Sequence, residues 1–463
     1  MSGDEEVMAA MGFASFGQPR RERRRVKQET SARTEALPQL MPGTELATQQ
    51  VQCSAGSVDV GPHGVLYLLC KEKGTDAHSF LDAALHEDAK EDKQEDQVPY
   101  AALLEELERE KQKFDTLESS QFLSARAATN KFETLGRHRF LNRSAMKLVT
   151  LDYIFQWTQE LEQRQEPFTF ADICGGPGGF SEYLLWRVGQ GSCGLKDEGE
   201  NARRVHGYGI TLKGAANNCG WRLPSKFREL FDICYGEDGT GNLYSRANIH
   251  NFRDVVRGRH PSGVDLVVAD GGFLDARSQA NQESMMTRLI LAEVLTMFAV
   301  LRAGGDFVCK TFELATPAMQ ELCWVLHQCF ERRRLTSVLV ILRLQTSRPA
   351  SSERYIVARD LRMGNPTAKL VGILEERLVE SGSIDSTDDF ELRFLTNTTA
   401  MRKDVDFLQY MTTANEAIAR SQVQACRRIN EFAANKNKRK TREADSAIDP
   451  RQFYHCWRLE STK

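Results

Sequence analysis

The sequence lacks the features of a membrane, secreted or disulfide-stabilised protein. Its apolar stretches, such as the one at residues 264–269, are far too short to span a bilayer. It starts Met1-Ser-Gly-Asp-Glu-Glu, with no apolar segment behind a basic start, so we expect no signal peptide. The 11 cysteines are an odd number and include no CxxC pair. We therefore expect reduced thiols in an intracellular protein, and neither a zinc site nor a disulfide framework.

A surplus of positive charge is also missing. Across 463 residues, 61 Lys and Arg face 64 Asp and Glu, which gives a formal net charge of −3. Taken alone, this balance argues against a nucleic-acid partner, which normally requires a basic surface. The charges are segregated, however: residues 20–27 and 427–442 are basic, whereas residues 87–96 are acidic. The overall charge is therefore an average over unlike segments and excludes little.

The composition divides the chain into three predicted regions. Residues 1–97 are expected to be mostly disordered, apart from a short strand or docking segment at residues 64–70. The basic run at residues 20–27 favours nuclear import. Residues 98–362 carry ordered periodicity, and residues 363–463 form an extension with a helical segment at 412–432 and a basic tail. The pattern leaves open whether this extension packs on the central region or binds a partner.

The central region predicts an α/β fold. Helical periodicity at 100–117 and 143–161 is followed by short apolar strands that alternate with amphipathic helices. The predicted strands are 168–174, 204–212, 264–270, 305–312, 337–344 and 354–359, and the helices between them are 180–188, 248–256, 284–301 and 317–330. This alternation predicts a mostly parallel, doubly wound sheet covered on both faces. The last two strands are joined by only nine residues, too few for a helical crossover, so we expect an antiparallel edge hairpin.

A glycine-rich turn at the end of the first of these strands is the strongest local signal. Residues 171–186 are ADICGGPGGFSEYLLW, a strand that ends in glycines and opens a helix. Glycine lets the backbone turn sharply and approach a ligand closely. The turn contains Pro177 and differs from GxGxxG, and the acid expected about 20 residues later is missing from GITLKG. Binding of a nicotinamide dinucleotide is therefore disfavoured.

Four charged residues form a second, dispersed pattern: Lys147, Asp270, Lys310 and Glu353. Asp270 and Lys310 each end an apolar strand, at the edge where open α/β sheets bind ligands. Singly, each residue has an ordinary interpretation as a surface or turn charge. A lysine at the end of a buried strand is costly unless it is paired. Two lysines between two carboxylates would offset that cost and fix the side chains.

This order of Lys, Asp, Lys and Glu resembles the catalytic tetrad of the FtsJ-like ribose 2′-O-methyltransferases. The strings FLNRSAMK, CGGPGGFSEYLLWR, ADGGF, CKTF and TSRPASSERY are similar specifically to the cap-1 branch, which acts on the first transcribed nucleotide of mRNA. The resemblance covers residues 99–361. It implies a Rossmann-like methyltransferase fold, S-adenosylmethionine as cofactor and no metal. The G-patch and WW domain that often flank this family's catalytic domain are not recognisable here, so partners inferred from them do not carry over.

The resemblance also implies binding residues. The methionine and ribose parts of the cofactor would lie against Cys174, Gly175, Gly176, Pro177, Gly178, Gly179 and Phe180, with help from Asn142, and the adenosine against Asn242 and Leu243. Related sequences carry Asp where Asn242 stands. The methylated guanosine and phosphates would be bound by Lys111, Gln112, Lys113, Phe114, Asp115 and Arg126. Further RNA contacts would lie at Asn281, Gln282, Glu283 and Ser351. Ordinary helix packing explains Phe114 equally well.

The implied reaction is an in-line attack of a ribose 2′-oxygen on a sulfonium methyl group. Lys310 would lie nearest the 2′-hydroxyl, either as base or as a group that steers the hydroxyl. Asp270 would favour the positive methyl donor and orient Lys310, and Glu353 would balance the lysines. The implied partners are the capped mRNA 5′ end and the transcription or capping machinery, in the nucleus; the oligomeric state stays open. The alternatives are methylation of another RNA (rRNA, tRNA or the second cap nucleotide) and a non-catalytic RNA-binding scaffold of the same fold.

Overall fold

The computed structural model describes residues 58–60, 65–68, 81, 84–85, 99–130, 132–159, 161, 166–190, 205–214, 219–272, 282–330, 339–380, 398–435 and 454–459. The strands in these ranges are β1 (Val58–Val60), β2 (Leu66–Leu68), β3 (Phe168–Ile173), β4 (Val205–Ile210), β5 (Phe231–Cys234), β6 (Val264–Ala269), β7 (Leu301–Thr311), β8 (Leu339–Leu342) and β9 (Arg354–Ala358). The α-helices are α1 (Ala101–Gln112), α2 (Ser119–Thr129), α3 (Ser144–Phe155), α4 (Gly179–Gln190), α5 (Arg246–Arg259), α6 (Gln282–Val300), α7 (Pro317–Cys329), α8 (Asn365–Glu380), α9 (Thr398–Lys403) and α10 (Val405–Ala434). Short 3₁₀ helices cover Lys113–Thr116, Glu133–Leu135 and Ser225–Leu230.

Seven of these strands form one sheet with the order β5-β4-β3-β6-β7-β9-β8. Strands β3 to β7 pair in parallel, whereas β9 is antiparallel to both β7 and β8. The predicted doubly wound, mostly parallel sheet with an antiparallel edge hairpin is therefore confirmed. The chain builds outward from β3 in one direction and from β6 in the other. The carboxyl ends of these two central strands form the switch point at which such sheets bind ligands.

The sheet is parallel because both of its faces are covered. Every residue of β3, β6 and β9 is buried, as expected for strands between two layers of helices. One apolar layer joins the sheet to α5, α6, α7, α8 and α10, and the other joins it to α3 and α4. Alternate residues of β7 therefore face different layers. Phe307 and Cys309 lie on the α6 side, and Val308 lies on the α3 side.

The predicted strands are all present, but several boundaries differ. The helix expected at 143–161 ends at Phe155, because Gln156 takes a left-handed conformation with φ of 61°. The helix expected to reach residue 301 ends at Val300, where β7 begins. Strand β5 and helices α2 and α8 were not predicted. Strand β5 has only four residues and its Ile233 is exposed, so the sequence carries little of the apolar signal of a strand.

The described part of the C-terminal extension packs on the central region. Helix α10 contacts α1, α2 and β2, and its Phe407 is fully buried. The hydroxyl of Tyr410 accepts a hydrogen bond from Ile341 N at 2.8 Å and donates one to Leu66 O at 3.2 Å. This helix therefore ties the sheet to the segment predicted as a short strand at residues 64–70. The region divisions after residues 97 and 362 stay predictions.

Most of the N-terminal arm, with the basic run at residues 20–27, lies outside the described residues, as does the basic tail from residue 436 onward. Within the described ranges, no helix is both long and apolar enough to cross a bilayer. The same ranges contain no cluster of three or more His, Cys, Asp or Glu side chains placed to hold a metal ion.

Candidate active site

Lys310 and Asp270 form an ion pair at the carboxyl edge of the sheet. Lys310 is the penultimate residue of β7, and Asp270 directly follows the neighbouring parallel strand β6. The Lys310 Nζ atom lies 3.1 Å from Asp270 Oδ1 and donates a hydrogen bond to the Asp270 carbonyl oxygen at 2.8 Å. Lys310 is only 7% exposed, so its charge is paired as the sequence predicted it would have to be.

Lys147 and Glu353 form a second ion pair beside the first. Lys147 lies on α3 and Glu353 directly precedes β9, and their Nζ and Oε2 atoms are 2.6 Å apart. Ser347 Oγ donates to the other carboxylate oxygen of Glu353 at 2.7 Å. Burial alone would raise the pKa of Glu353, but Lys147 and Lys310 outweigh burial and hold the pKa below its usual range. Glu353 therefore remains ionised at neutral pH, and the structure brings all four predicted residues together.

Tyr355 connects the two ion pairs and was not predicted. It lies opposite Lys310 in the β7–β9 register, is fully buried, and donates to Asp270 Oδ1 at 3.2 Å. Its ring centroid is 5.9 Å from Lys147 Nζ. Residues two apart on a strand share a face, so the position two after Glu353 was a usable sequence signal.

The glycine-rich turn runs from the end of β3 to the start of α4. Gly178 has φ of +110°, which favours glycine, and its N–H donates to the Gly175 carbonyl oxygen at 2.7 Å. A Cβ atom on Gly179 would lie 2.0 Å from Asn142 Oδ1. The predicted Asn142 is thus packed directly against the turn. Phe180, by contrast, is 1% exposed, and its side chain packs in the core on the α3 side. Only its backbone is therefore placed to contact a ligand at the carboxyl edge of the sheet.

Asp172, in β3 just before this turn, is a further candidate that was not predicted. It is fully buried, and its Oδ2 atom accepts hydrogen bonds from Ser181 N at 3.2 Å and Ser181 Oγ at 2.6 Å. Its Oδ1 atom has no hydrogen-bond partner among the described residues. Burial raises the pKa of Asp172 to about 7. A buried oxygen without a donor is uncommon in folded proteins and indicates a place for a ligand donor.

The predicted adenosine residues lie in the loop that follows β5. Asn248, from α5, holds this loop by donating through Nδ2 to Asp238 Oδ1 at 2.9 Å and to the Asn242 carbonyl oxygen at 3.0 Å. Lys213 N, just beyond β4, donates to the Thr240 carbonyl oxygen at 2.7 Å. The loop therefore lies at the same edge of the sheet as the glycine-rich turn.

Within that loop, Leu243 is buried, and the Asn242 side chain accepts from Tyr244 N at 3.0 Å. Both side chains thus stabilise the loop itself. Their contact with a cofactor stays a prediction.

The segment predicted to bind the cap lies at the end of α1 and in the following 3₁₀ helix. Lys111 Nζ donates to Ser352 Oγ at 2.8 Å and is 3.8 Å from Glu313 Oε1, so α1 is fastened to the residue beside Glu353. Phe114 is half-buried, with its ring centroid 5.0 Å from that of Phe122, so it does pack within the helical layer. The remaining predicted residues of the segment are exposed: Gln112, Lys113 and Asp115.

Arg126 lies in a cluster of three guanidinium groups around one carboxylate. Its side chain is buried and pairs with Glu133 at 3.0 Å. Glu133 also lies 3.1 Å from Arg143 and 3.7 Å from Arg348, neither of which was predicted. Burial would raise the pKa of Glu133, but the arginines hold it below its usual range. The three arginines and one glutamate leave an excess of positive charge in this cluster. The cluster adjoins Lys147, which lies one helical turn after Arg143.

The remaining residues predicted to contact RNA either have identifiable structural roles or lie outside the described residues. Glu283 is buried, and its carboxylate accepts hydrogen bonds from Ala315 N at 3.0 Å and from Thr316 N at 2.7 Å, which fastens the start of α7. Ser351 Oγ accepts from Glu353 N at 3.2 Å. Gln282 is the first residue of α6, but its side chain and all of Asn281 lie outside the described residues. Their contact with RNA stays a prediction.

Comparison with known proteins gives one family and a set of relatives. Residues 140–361 match the family model described as FtsJ-like methyltransferase. Three relatives, from Drosophila melanogaster, Danio rerio and Homo sapiens, are each named cap-specific mRNA (nucleoside-2′-O-)-methyltransferase 1. They are 32%, 34% and 31% identical over 87%, 76% and 72% of this chain, respectively. The aligned part covers 51%, 42% and 39% of the relatives, so this chain spans about half their length or less.

Proposed function

Because residues 140–361 form an FtsJ-like methyltransferase domain, we propose that this chain methylates the ribose 2′-hydroxyl of the first transcribed nucleotide of capped mRNA. The observation that carries the proposal is the pair of ion pairs Lys310–Asp270 and Lys147–Glu353, placed at the carboxyl edge of β6 and β7 beside the glycine-rich turn. The names of the relatives support the choice of capped mRNA over other RNA substrates.

The residues at this edge fit S-adenosylmethionine, which when bound supplies a methyl group activated on a positively charged sulfur. At Gly178 and Gly179 the turn is packed closely by the side chains of Leu223 and Asn142, respectively, which fixes its backbone at the carboxyl end of β3. The Asp172 Oδ1 atom lies beneath the turn and has no hydrogen-bond partner among the described residues, so it is available to share a hydrogen bond with a polar group of the ligand. The loop at Asn242 and Leu243 closes the same edge on the β4 side. We propose that the turn, with Asp172 beneath it, holds the methionine and ribose parts and that the loop holds the adenosine part.

Lys310 is the residue placed to direct the attacking oxygen. A lysine ammonium has three donor positions. On Lys310 one of them donates to the Asp270 carbonyl oxygen, and the ammonium also pairs with Asp270 Oδ1, which leaves a donor position to face a substrate hydroxyl. With the ammonium fixed in this way, the hydroxyl that meets this position has a defined orientation for in-line transfer. As an ammonium, Lys310 has no electron pair to accept the hydroxyl proton, so that proton leaves to solvent as the new bond forms while Lys310 keeps the oxygen oriented.

The second pair sets the charge of the site. Two lysines and two carboxylates sum to zero, so the edge can accept a positively charged methyl donor without net repulsion. Glu353 stays ionised because Lys147 and Lys310 hold its pKa low, and it therefore stabilises both ammonium groups. We propose that Lys147 and Glu353 act on Lys310 by electrostatics rather than by contact with the transferred methyl group.

Capped and uncapped RNA of the same sequence provide the test. Methyl transfer from S-adenosylmethionine should proceed on m7GpppN-RNA and be far slower on the triphosphate RNA. Equal transfer to both would favour another RNA substrate, and binding of RNA without any transfer would favour a non-catalytic scaffold.

We propose a nuclear location and contact with the transcription or capping machinery as well. The support is the basic run at residues 20–27 and the nature of the proposed substrate. A fluorescent fusion of the full chain should accumulate in the nucleus, and replacement of the arginines in this run by glutamine should reduce that accumulation. An unchanged distribution of the variant would remove the support that this segment gives.

A further inference from the structure

Glu293 is a buried carboxyl on the opposite side of the sheet from the two ion pairs. It lies on α6, is 0% exposed, and is surrounded on the same helix by apolar core residues such as Ile290, Val294 and Met297. A buried acid among apolar neighbours is costly unless it makes specific hydrogen bonds. The residues it contacts are therefore informative.

Its contacts reach the ends of two central strands. Glu293 Oε1 accepts a hydrogen bond from Gly271 N at 3.1 Å, and Oε2 lies 3.5 Å from Cys309 Sγ. Gly271 follows Asp270 in the turn after β6, and Cys309 precedes Lys310 in β7. These two contacts each adjoin one member of the Lys310–Asp270 pair, from the α6 side of the sheet, and Glu293 also interacts with the Cys174 side chain just after β3.

The peptide between Asp270 and Gly271 is held at both of its polar ends. Its carbonyl oxygen accepts from Lys310 Nζ at 2.8 Å, and its N–H donates to Glu293. In a planar trans peptide these two groups point in opposite directions, so fixing the N–H also fixes the direction of the carbonyl. The two hydrogen bonds polarise the same amide and strengthen each other.

The surroundings favour a neutral Glu293. Burial raises its pKa to about 8, against the opposing effect of Lys310. The other titratable groups near it are Asp270, Cys174, Cys309 and Tyr244. In either protonation state the carboxyl keeps an oxygen that accepts from the Gly271 N–H. The hold of Glu293 on the Gly271 N–H thus depends on the length of its side chain and on its acceptor oxygen rather than on its charge.

We propose that Glu293 is a positioning residue: by holding the Asp270–Gly271 peptide it directs the Asp270 carbonyl oxygen at Lys310 Nζ. This inference rests on the proposed methyl transfer, in which Lys310 orients the substrate hydroxyl. Glu293 touches neither substrate nor cofactor in this account. Its effect reaches the reaction through one peptide group.

Two substitutions in the full chain separate reach from charge. Glu293→Asp keeps the ionisable carboxyl group but shortens the side chain by one methylene, so the Gly271 N–H loses its acceptor. Glu293→Gln keeps an acceptor oxygen at the same reach and removes the ionisable group. The matched control is Thr296→Val, one helical turn away, because Thr296 is buried and, among the described residues, its hydroxyl donates only to Ala292 O of the same helix. Each variant is measured for kcat, KM for capped RNA, calorimetric affinity for S-adenosylhomocysteine, and thermal midpoint.

We expect Glu293→Asp to lower kcat by up to about 100-fold, the loss expected when a change away from the reacting atoms misplaces a reacting group by about 1 Å. Its affinity for S-adenosylhomocysteine and its thermal midpoint should stay close to those of the Thr296→Val control. Glu293→Gln should keep a kcat well above that of Glu293→Asp. Hydrogen exchange at residues 268–272 should be faster in Glu293→Asp alone.

Four outcomes would overturn the inference: an unchanged kcat in Glu293→Asp, an equal loss in Glu293→Gln, a loss confined to cofactor affinity, or global unfolding of Glu293→Asp. The last would show that Glu293 is needed for folding instead. Absence of methyl transfer by the unsubstituted chain would refute the proposed function. Hydrogen exchange at Gly271 would then still test separately whether Glu293 holds the Asp270–Gly271 peptide.

Discussion

The Tyr355 hydroxyl donates to the same Asp270 oxygen that pairs with Lys310, at 3.2 Å and 3.1 Å, respectively. Tyr355 and Lys310 are direct partners in the antiparallel β7–β9 register, so strand pairing itself places both side chains over Asp270. The antiparallel edge hairpin therefore does more than close the sheet. It supplies Tyr355 and, one residue before β9, Glu353.

Replacement of Tyr355 by Phe should slow methyl transfer without unfolding the chain. The variant loses a hydrogen bond to a carboxylate, worth about 1.5–3 kcal/mol, while the buried ring is kept. We expect kcat to fall at least about tenfold, with little change in affinity for S-adenosylhomocysteine. Tyr208→Phe, in another fully buried tyrosine of the sheet, is the control and should keep its kcat. Equal kcat values for the two variants would contradict a role for Tyr355 at Asp270.

Replacement of Lys310 by Ala should abolish methyl transfer but leave cofactor binding intact. The substitution removes the only group proposed to face the 2′-hydroxyl, and misplacement of a reacting group by about 1 Å already costs about 10²-fold in rate. Single-turnover kinetics and calorimetric titration with S-adenosylhomocysteine provide the two readouts. Lys403→Ala, at an exposed lysine at the end of α9, is the matched control. Near-normal turnover by Lys310→Ala would refute its assignment.

Asp172 should make the chain less stable as the pH rises towards neutrality. An ordinary Asp has a pKa of about 3.9 in the unfolded chain. Burial raises the folded value to about 7, so between these values the folded state holds a proton that the unfolded state has lost. The free energy of unfolding then decreases with pH by at most about 1.4 kcal/mol per unit for this group.

Asp172→Asn removes that titration and should flatten the dependence on pH. Urea denaturation at pH 5 and pH 7.5, without cofactor, measures it in both proteins. Parallel stability profiles for the two would mean that Asp172 is ionised in the folded chain across this range.

Lys113 should contribute to RNA affinity through charge alone. It is exposed at the end of α1, and Glu110 lies 2.8 Å from its Nζ atom. Lys113→Ala should raise KM for capped RNA and lower the slope of log affinity against log salt by about one, with kcat unchanged. The exposed Lys403→Ala variant should leave the slope as it is. A salt slope unaltered by Lys113→Ala would place the phosphates elsewhere.

The sequence predicted the Lys310–Asp270 pair because it depends only on topology. Carboxyl ends of neighbouring parallel strands meet at one edge, so two charged residues that end apolar strands must lie close together. The same argument located the glycine-rich turn at that edge. Lys147 and Glu353 lacked such a topological argument; they were grouped with the pair by their charges and by the family resemblance, and the structure places both within the site.

The sequence did not reveal contacts that depend on the direction of a side chain or on the register of two strands. Glu293 lies in a helix that is otherwise apolar, and no local pattern shows that its carboxyl meets Gly271. Tyr355 faces Asp270 only because β9 pairs with β7 in one register. Likewise, the packing of α10 on α1 arises from tertiary contacts of a helix that could equally have bound a partner.

The most direct test of the account is to map the methyl group transferred to m7GpppN-RNA. Isotope-labelled S-adenosylmethionine, digestion with a nuclease that spares 2′-O-methylated linkages, and mass spectrometry of the cap fragment identify the modified position. The account predicts label on the ribose 2′-oxygen of the first transcribed nucleotide alone. Label on a base, on the second or a later nucleotide, or equally in uncapped RNA would contradict it.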